Sequence, residues 1–432
     1  MIYFVHKEYK NTLTGGSALI EAATKQDSLQ LSYGDVARSS EQRLRELSMS
    51  RRPTVRYVYP HIPLELFLAH GITPSLAWPD PSVQGGFEGS LQTFACSLAR
   101  NLFSQRSTGG FSSLSGILFP CNTCDSLLNV ADVWRHRFPE DKLFRLTYPA
   151  ARFDDDSVRF LAEELKILSE SLKDAFGRPF SKDELAAAVA LVNRFRESAQ
   201  ILYACRIINP NTVSYFELAR MVREFLTSPN ADTVEPISGS AAAVLKKLEQ
   251  EGQVGTVKSL KEELLSGTLS STKIAVESKI PRIMVVGGMT EPLAIASLFK
   301  DSGKLSDEVI VLDLLSYGFK TVFTPPVNLE GDPFVAMSRS ILNAPSEPTQ
   351  EGLPRRLEFI KLLLSKLSIN ILVVCEQSFC DPDQFETPPI LKIASEAGVP
   401  SLRLPIDPEL SDRTRLEGRI QSFLETFGGS PR

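Results

Sequence analysis

Six cysteines in 432 residues are the part of this chain most able to do chemistry. They are too few for a disulfide scaffold, and their placement is uneven. Cys96, Cys121 and Cys124 fall together, Cys375 and Cys380 form a second group far downstream, and Cys205 stands alone. Soft thiolate ligands select zinc or an iron–sulfur cluster. A closed zinc site wants four ligands, often as two CxxC pairs. Here one pair, Cys121 and Cys124, has that spacing, and His6, His61, His70 and His136 show no ligand spacing. A four-iron cluster on three cysteines would leave one iron open for a substrate. The residues alone leave zinc, a cluster and an incidental pair of buried thiols all standing.

Positioning thiols so far apart requires particular elements. Short apolar runs at 54–59, 74–78, 115–120 and 142–149 read as strands, with helical patterns at 63–71, 87–105 and 126–138 between them. Residues 154–270 change to long helical periods without strand signals, and Ser181 with Glu184 fits a capping box. Strand runs resume at 282–288, 308–314, 369–375 and 400–406, and a last helix is expected over 413–427. Strands alternating with helices imply parallel βαβ units. The expectation is an α/β protein with two doubly wound parallel-sheet (Rossmann- or flavodoxin-like) domains, at 53–150 and 280–432. A helical insert at 151–279 joins them, and residues 1–52 form an N-terminal helical extension.

Open parallel sheets gather ligands outside the carboxyl ends of their strands. Cys121 and Cys124 directly follow the strand at 115–120, and Cys380 follows the strand at 369–375 by five residues. Cys96 is expected within the helix at 87–105, beyond a loop holding Gly85 and Gly86. Three distant thiols can then reach one cleft, where helix N-termini would lower their pKa values. Cys121 is a candidate extra ligand. Cys375 ends a buried strand and Cys205 lies on an apolar helix face, so both are expected as core thiols.

Other candidates are weaker. His61 follows a strand near the expected cleft and is a candidate acid or base. His70, beside the helix-ending Gly71, is expected as a charge partner of a helix C-terminus. Asp125 and Asp381 each follow a cysteine and are expected to cap helices. Gly287 and Gly288 could approach a phosphate but lack the GxGxxG pattern. Arg355, Arg356, Arg413, Arg415 and Arg419 could meet the phosphates of a nucleotide-bearing ligand, or simply be solvated.

A net charge of -5 and a composition 43% hydrophobic and 23% charged argue against a general nucleic-acid binder. No apolar run reaches eighteen residues, and no export signal opens the chain, so no membrane span and a cytoplasmic place are expected.

Several stretches resemble one family. VYPHIPLELFLAHGITPSLAW, TFACSLAR, FPCNTCDSLLNVADVW and QSFCDPDQFETPPILKIASEAGVPSLRLPID resemble subunits of 2-hydroxyacyl-CoA dehydratases and benzoyl-CoA reductases, including the 2-hydroxyglutaryl-CoA dehydratase D-component. FGRPFSKDELAAAVALVNRFRESAQILYACR and GRIQSFLET resemble the family's middle segment and C-terminal helix. The resemblance covers about 53–430 and implies a [4Fe-4S] cluster on Cys96, Cys124 and Cys380. It further implies an acyl-CoA substrate, a related second subunit (or a homodimer), and an ATP-hydrolysing iron–sulfur activator protein that injects one electron. The implied chemistry is radical: a ketyl-type species permits loss of an unreactive β-proton and the α-hydroxyl, as a lyase. The reductase branch, an oxidoreductase, reduces an aromatic ring instead. The alternatives are a non-catalytic iron–sulfur electron-transfer subunit, a double-cubane-cluster reductase of small molecules, or a zinc or cluster-free binding protein. The N-terminal fifty residues and Cys121 depart from the family pattern.

Overall fold

A computed structural model describes residues 32–48, 52–111, 114–150, 154–269, 280–301, 307–350 and 352–427. Helix α1 (Tyr33–Ser48) precedes the first α/β unit: β1 (Thr54–Tyr57), α2 (Leu64–Ala69), β2 (Thr73–Leu76), α3 (Ser97–Ser107), β3 (Gly116–Cys121), α4 (Asp125–Arg137) and β4 (Leu143–Thr147). Five helices follow with no strand among the described residues: α5 (Asp155–Phe176), α6 (Lys182–Ile208), α7 (Tyr215–Thr227), α8 (Ala231–Gln250) and α9 (Val254–Ser266). The second unit is β5 (Ile283–Val286), α10 (Pro292–Asp301), β6 (Ile310–Leu314), a π-helical turn at Ser316–Lys320, α11 (Pro333–Leu342), α12 (Leu353–Lys366), β7 (Ile371–Gln377), α13 (Asp381–Glu396), β8 (Ser401–Ile406) and α14 (Arg413–Phe427).

Each unit forms a four-stranded, wholly parallel sheet, ordered β2-β1-β3-β4 and β6-β5-β7-β8. This is the expected α/β class with two doubly wound sheets. The central strands read as continuous apolar runs because both faces are covered. In β7, Leu372 and Val374 face one core while Ile371, Val373 and Cys375 face another, the two-residue period of a strand. All eight expected strands are present, shifted by a residue or two at their ends.

Helix α6 ties the two units together. Its N-cap is Ser181, whose hydroxyl accepts from the Glu184 N–H at 3.2 Å. Farther along, Arg196 pairs with buried Glu65 of α2 at 3.2 Å. Tyr203 donates to Asp313 at the end of β6 at 2.6 Å, and Gln200 donates to the Val322 carbonyl at 2.9 Å. Side chains spaced along one face of a 27-residue helix thus hold both sheets in one body. Within the expected N-terminal helical extension, α1 starts at Tyr33, which anchors it by donating to Glu291 at 2.7 Å. The rest of that extension lies outside the described residues. No described helix is long and apolar enough to cross a membrane.

Candidate functional site

Strand β3 ends at Cys121, Asn122 adopts a left-handed conformation (φ 60°), and Cys124 then becomes the N-cap of α4. Strand β7 ends at Gln377, Phe379 adopts the same left-handed conformation (φ 60°), and Cys380 becomes the N-cap of α13. Asn tolerates this region readily, whereas Phe379 is held there. Its ring lies 5.5 Å from the Arg100 guanidinium. Cys96 is the N-cap of α3 rather than a residue within a helix. The expected helix from 87 is a run of turns, with Ser90 and Leu91 N–H groups both on the Phe87 carbonyl. Its apolar spacing misled because Phe94 points outward, 66% exposed.

Three cysteines therefore sit at three helix starts, where unpaired backbone N–H groups concentrate positive potential. All three line one cavity of about 410 Å³. The two units are stitched together beside it: the Ser97 N–H donates to the Ser378 carbonyl at 3.0 Å, and the Cys96 thiol approaches Gln377 Oε1 at 3.7 Å. Gln377 is itself held by donating to the Met289 carbonyl at 2.9 Å. Cys96 and Cys380 lie within hydrogen-bonding reach of each other.

The expectation of three lowered thiol pKa values holds at one position. At Cys96 the Cys380 thiol, with the Ala99 and Leu98 N–H groups, outweighs burial and lowers the pKa. Burial raises Cys124 to about 12, despite the Leu127 N–H. Cys380 is pushed up by its contact with Cys96 and by burial. A hydrogen-bonded thiol pair keeps one proton between two sulfurs, so one is favoured as thiolate at the other's expense. A cationic centre among the three would reverse that at Cys124 and Cys380, since metal coordination deprotonates thiols.

The remaining candidates lie elsewhere. Cys121 ends β3 opposite Thr147 and does not line the cavity. Cys375 is buried in β7 behind Gly287, and Cys205 is buried on α6; burial raises both pKa values, Cys205 to about 12. Among the described residues no three His, Cys, Asp or Glu side chains converge on a single ion-sized point. The three thiols border a wider space.

His61 is not in the thiol cavity. It lines a separate cavity of about 20 Å³ with Arg196, Thr321 and Thr324, and its Nε2 is buried without a hydrogen-bond partner. Burial, Lys320 and Arg196 push its pKa well below the usual value. His70 is not a charge partner either. It is buried, bonded to the Arg178 carbonyl at 2.7 Å and Ser169 at 2.8 Å, and burial lowers its pKa. Asp125 and Asp381 are not N-caps, because the cysteines occupy those positions. They stand one residue inside the helices and line the cavity, where an acid still favours the helix start.

Gly287 and Gly288 make close approaches to protein. A Cβ on the first would meet the Cys375 carbonyl oxygen at 2.7 Å, and on the second Asp383 Oδ1 at 2.5 Å. Of the arginines, Arg356 is buried and forks onto Glu386 at 2.8 and 3.0 Å. Arg413 and Arg415 pair with Glu417 and Asp412, Arg419 donates to the Arg403 carbonyl, and Arg355 is exposed. None of the five lines the thiol cavity.

A charged group in the cavity wall carries no sequence signal at all. Glu347, buried in the loop after α11, accepts from Tyr59 at 2.7 Å, Ser316 at 3.0 Å and Thr349, and lies 3.8 Å from the Lys320 ammonium. Burial raises the Glu347 pKa, but Lys320 and the Thr349 and Tyr59 donors outweigh it and hold the carboxyl below its usual range. Burial brings Lys320 down to about 7, against the pull of Glu347. Lys320 also donates to Gln350 at 2.6 Å. These residues come from β1's exit, the π-helical turn and a loop with no periodic pattern, so only folding brings them together.

The family model described as "2-hydroxyglutaryl-CoA dehydratase, D-component" matches residues 60–427. The beta subunit of lactoyl-CoA dehydratase from Anaerotignum propionicum is 23% identical over 374 residues, covering 84% of this chain and 88% of the relative. A benzoyl-CoA reductase subunit of Thauera aromatica is 22% identical over 383 residues, covering 85% and 89%. The (R)-phenyllactyl-CoA dehydratase beta subunit of Clostridium sporogenes is 20% identical over 369 residues, covering 85% and 90%. On the match from residue 60 to residue 427, the chain belongs to the 2-hydroxyglutaryl-CoA dehydratase D-component family.

Proposed function

We propose that this chain is an iron–sulfur subunit of an enzyme acting on a CoA thioester, a 2-hydroxyacyl-CoA dehydratase or a reductase of the benzoyl-CoA type. In this reading Cys96, Cys124 and Cys380 hold a [4Fe-4S] cluster. The observation that carries it is the meeting of three helix-capping cysteines from both halves of the chain around one cavity of about 410 Å³. The donor set fits: three soft sulfurs suit iron–sulfur ligation, and Cys121 lies outside the cavity wall. That favours a single cubane over a double one.

When bound, such a cluster would supply one-electron chemistry and an iron with room for an exogenous ligand. The chain's own residues do the rest. The starts of α3, α4 and α13 orient partial positive charge toward the sulfurs. Leu98, Leu127, Met289 and Leu353 make the cavity wall partly apolar, and Glu347 presents a carboxylate there. In this reading the acyl end would enter the cavity and the nucleotide would stay outside.

All three relatives are named as subunits, two of them as beta subunits, which supports work beside a related second subunit, in a hetero- or homodimer. An ATP-hydrolysing iron–sulfur activator as electron donor, and a cytoplasmic, anaerobic setting, complete the proposal. The test is anaerobic purification with iron and sulfide counts, then EPR with and without an acyl-CoA. About four irons per chain and a signal altered by acyl-CoA are expected. A colourless protein that binds zinc, or nothing, would sink the reading. A cluster indifferent to every acyl-CoA would leave an electron-transfer subunit.

A further inference from the structure

The charge of the thiol cavity is one-sided. Asp125, Glu347, Asp381 and Glu386 line it, and no lysine or arginine does among the described residues. The cations near it are already engaged: Arg356 forks onto Glu386, Lys320 is shared by Glu347 and Gln350, and Arg100, which helps to lower the Cys96 pKa, lies over the rings of Phe87 and Phe379. Asp125 and Asp381 stand exposed at the rim. The favourable positive potential of the three helix starts is directed at the three sulfurs, which are themselves anionic when they ligate. An incoming group therefore meets apolar side chains, carboxylates and sulfur, with no cation in the wall to receive a negative charge.

We propose that Glu347 makes this cavity selective for thioesters with an uncharged acyl chain, rejecting those whose acyl group ends in a carboxylate. The inference rests on the reading of the chain as a CoA-thioester subunit and narrows its substrate class. Glu347 is the specificity-determining residue because, of the two buried carboxylates in the wall, it is the one without a bidentate arginine partner. Tyr59, Ser316 and Thr349 leave it little freedom to turn away. A second carboxylate brought against it would be a like-charge contact, which is unfavourable. A neutral hydroxyl could instead donate to it.

The test titrates the full chain, anaerobic and cluster-loaded, with lactoyl-CoA and with 2-hydroxyglutaryl-CoA in a calorimeter. The two probes share the coenzyme and the 2-hydroxyl and differ in the terminal carboxylate. Lactoyl-CoA is expected to bind at least about tenfold more tightly. Glu347→Gln leaves Lys320 as the nearest charge, so the ratio of the two dissociation constants should fall several-fold or invert. Asp381→Asn, at the exposed rim, should lower the ratio more modestly. A wild-type ratio near one, a preference for the dicarboxylic thioester, or a ratio unmoved by both variants would overturn the proposal. So would binding of neither probe. Iron counts on the same preparations report on the cluster separately, so loss of selectivity with about four irons present leaves the cluster assignment standing.

Discussion

The two α/β units have the same strand order and use their third strand in the same way. After β3 the chain runs Asn122, Thr123, Cys124, Asp125; after β7 it runs Ser378, Phe379, Cys380, Asp381. In each turn a left-handed non-glycine residue precedes a cysteine N-cap. The units part company after the second strand. Beyond β2 a loop leads to a further thiol, Cys96. Beyond β6 the chain makes a π-helical turn, and Ser316 and Lys320 of that turn meet Glu347. Gly318 permits that turn, because a side chain there would run into Asp313. One topology thus delivers sulfur twice from the first half, and from the second half sulfur once plus a buried ionic network.

That contrast can be broken most severely at the sulfurs. Cys96→Ala, Cys124→Ala and Cys380→Ala should each remove most of the iron and colour, whereas Cys205→Ala and Cys375→Ala should keep both. Iron counts on anaerobic preparations decide it, and if Cys96→Ala kept full iron the two halves would not share a site. Next comes the ionic half. Arg356→Met leaves buried Glu386 without its partner and strips donors from the Gly287 and Ser346 carbonyls. The expected loss is about 3–5 kcal/mol in urea unfolding.

Asp383 gives a pH-dependent prediction. It is buried, accepts from the Gln377 N–H at 3.0 Å, and burial raises its pKa well above 3.8. The folded state therefore holds this proton to higher pH than the unfolded state does. Stability is lost as pH rises from 3.8 through the raised folded value, by about 1.4 kcal/mol per unit. Asp383→Asn removes that loss, so its stability relative to wild type should grow as pH rises above 3.8. A pH-independent difference would show that Asp383 ionises freely. The smallest effect is in the first half. Asn122→Ala puts a residue less tolerant of left-handed backbone into the turn and removes its donation to the Tyr148 carbonyl. The cost should be about 1 kcal/mol by thermal unfolding.

The strands were legible because both faces of a covered parallel sheet demand apolar side chains, which leaves runs such as 371–375. Cys124 and Cys380 were legible because they follow such runs directly. Cys96 was assigned to the right neighbourhood but the wrong local structure, since Phe87, Leu91 and Phe94 imitate a helical face while lying in turns. His61 enters a different cavity from the thiols because a strand exit names an end of the sheet and not which cavity a side chain enters. Glu347 and Lys320 left no trace in the sequence, because the bond from Tyr59 to Glu347 spans 288 positions and depends on the packing of both units.

That long reach bears on how the protein is made. The Cys96 thiol meets Gln377, 281 positions farther along the chain, so a nascent polypeptide still lacking β7 has only part of the cavity wall. The cavity closes only when translation has passed Cys380 and both sheets have docked. Whatever enters it meets a finished fold, past the outward-facing ring of Phe385.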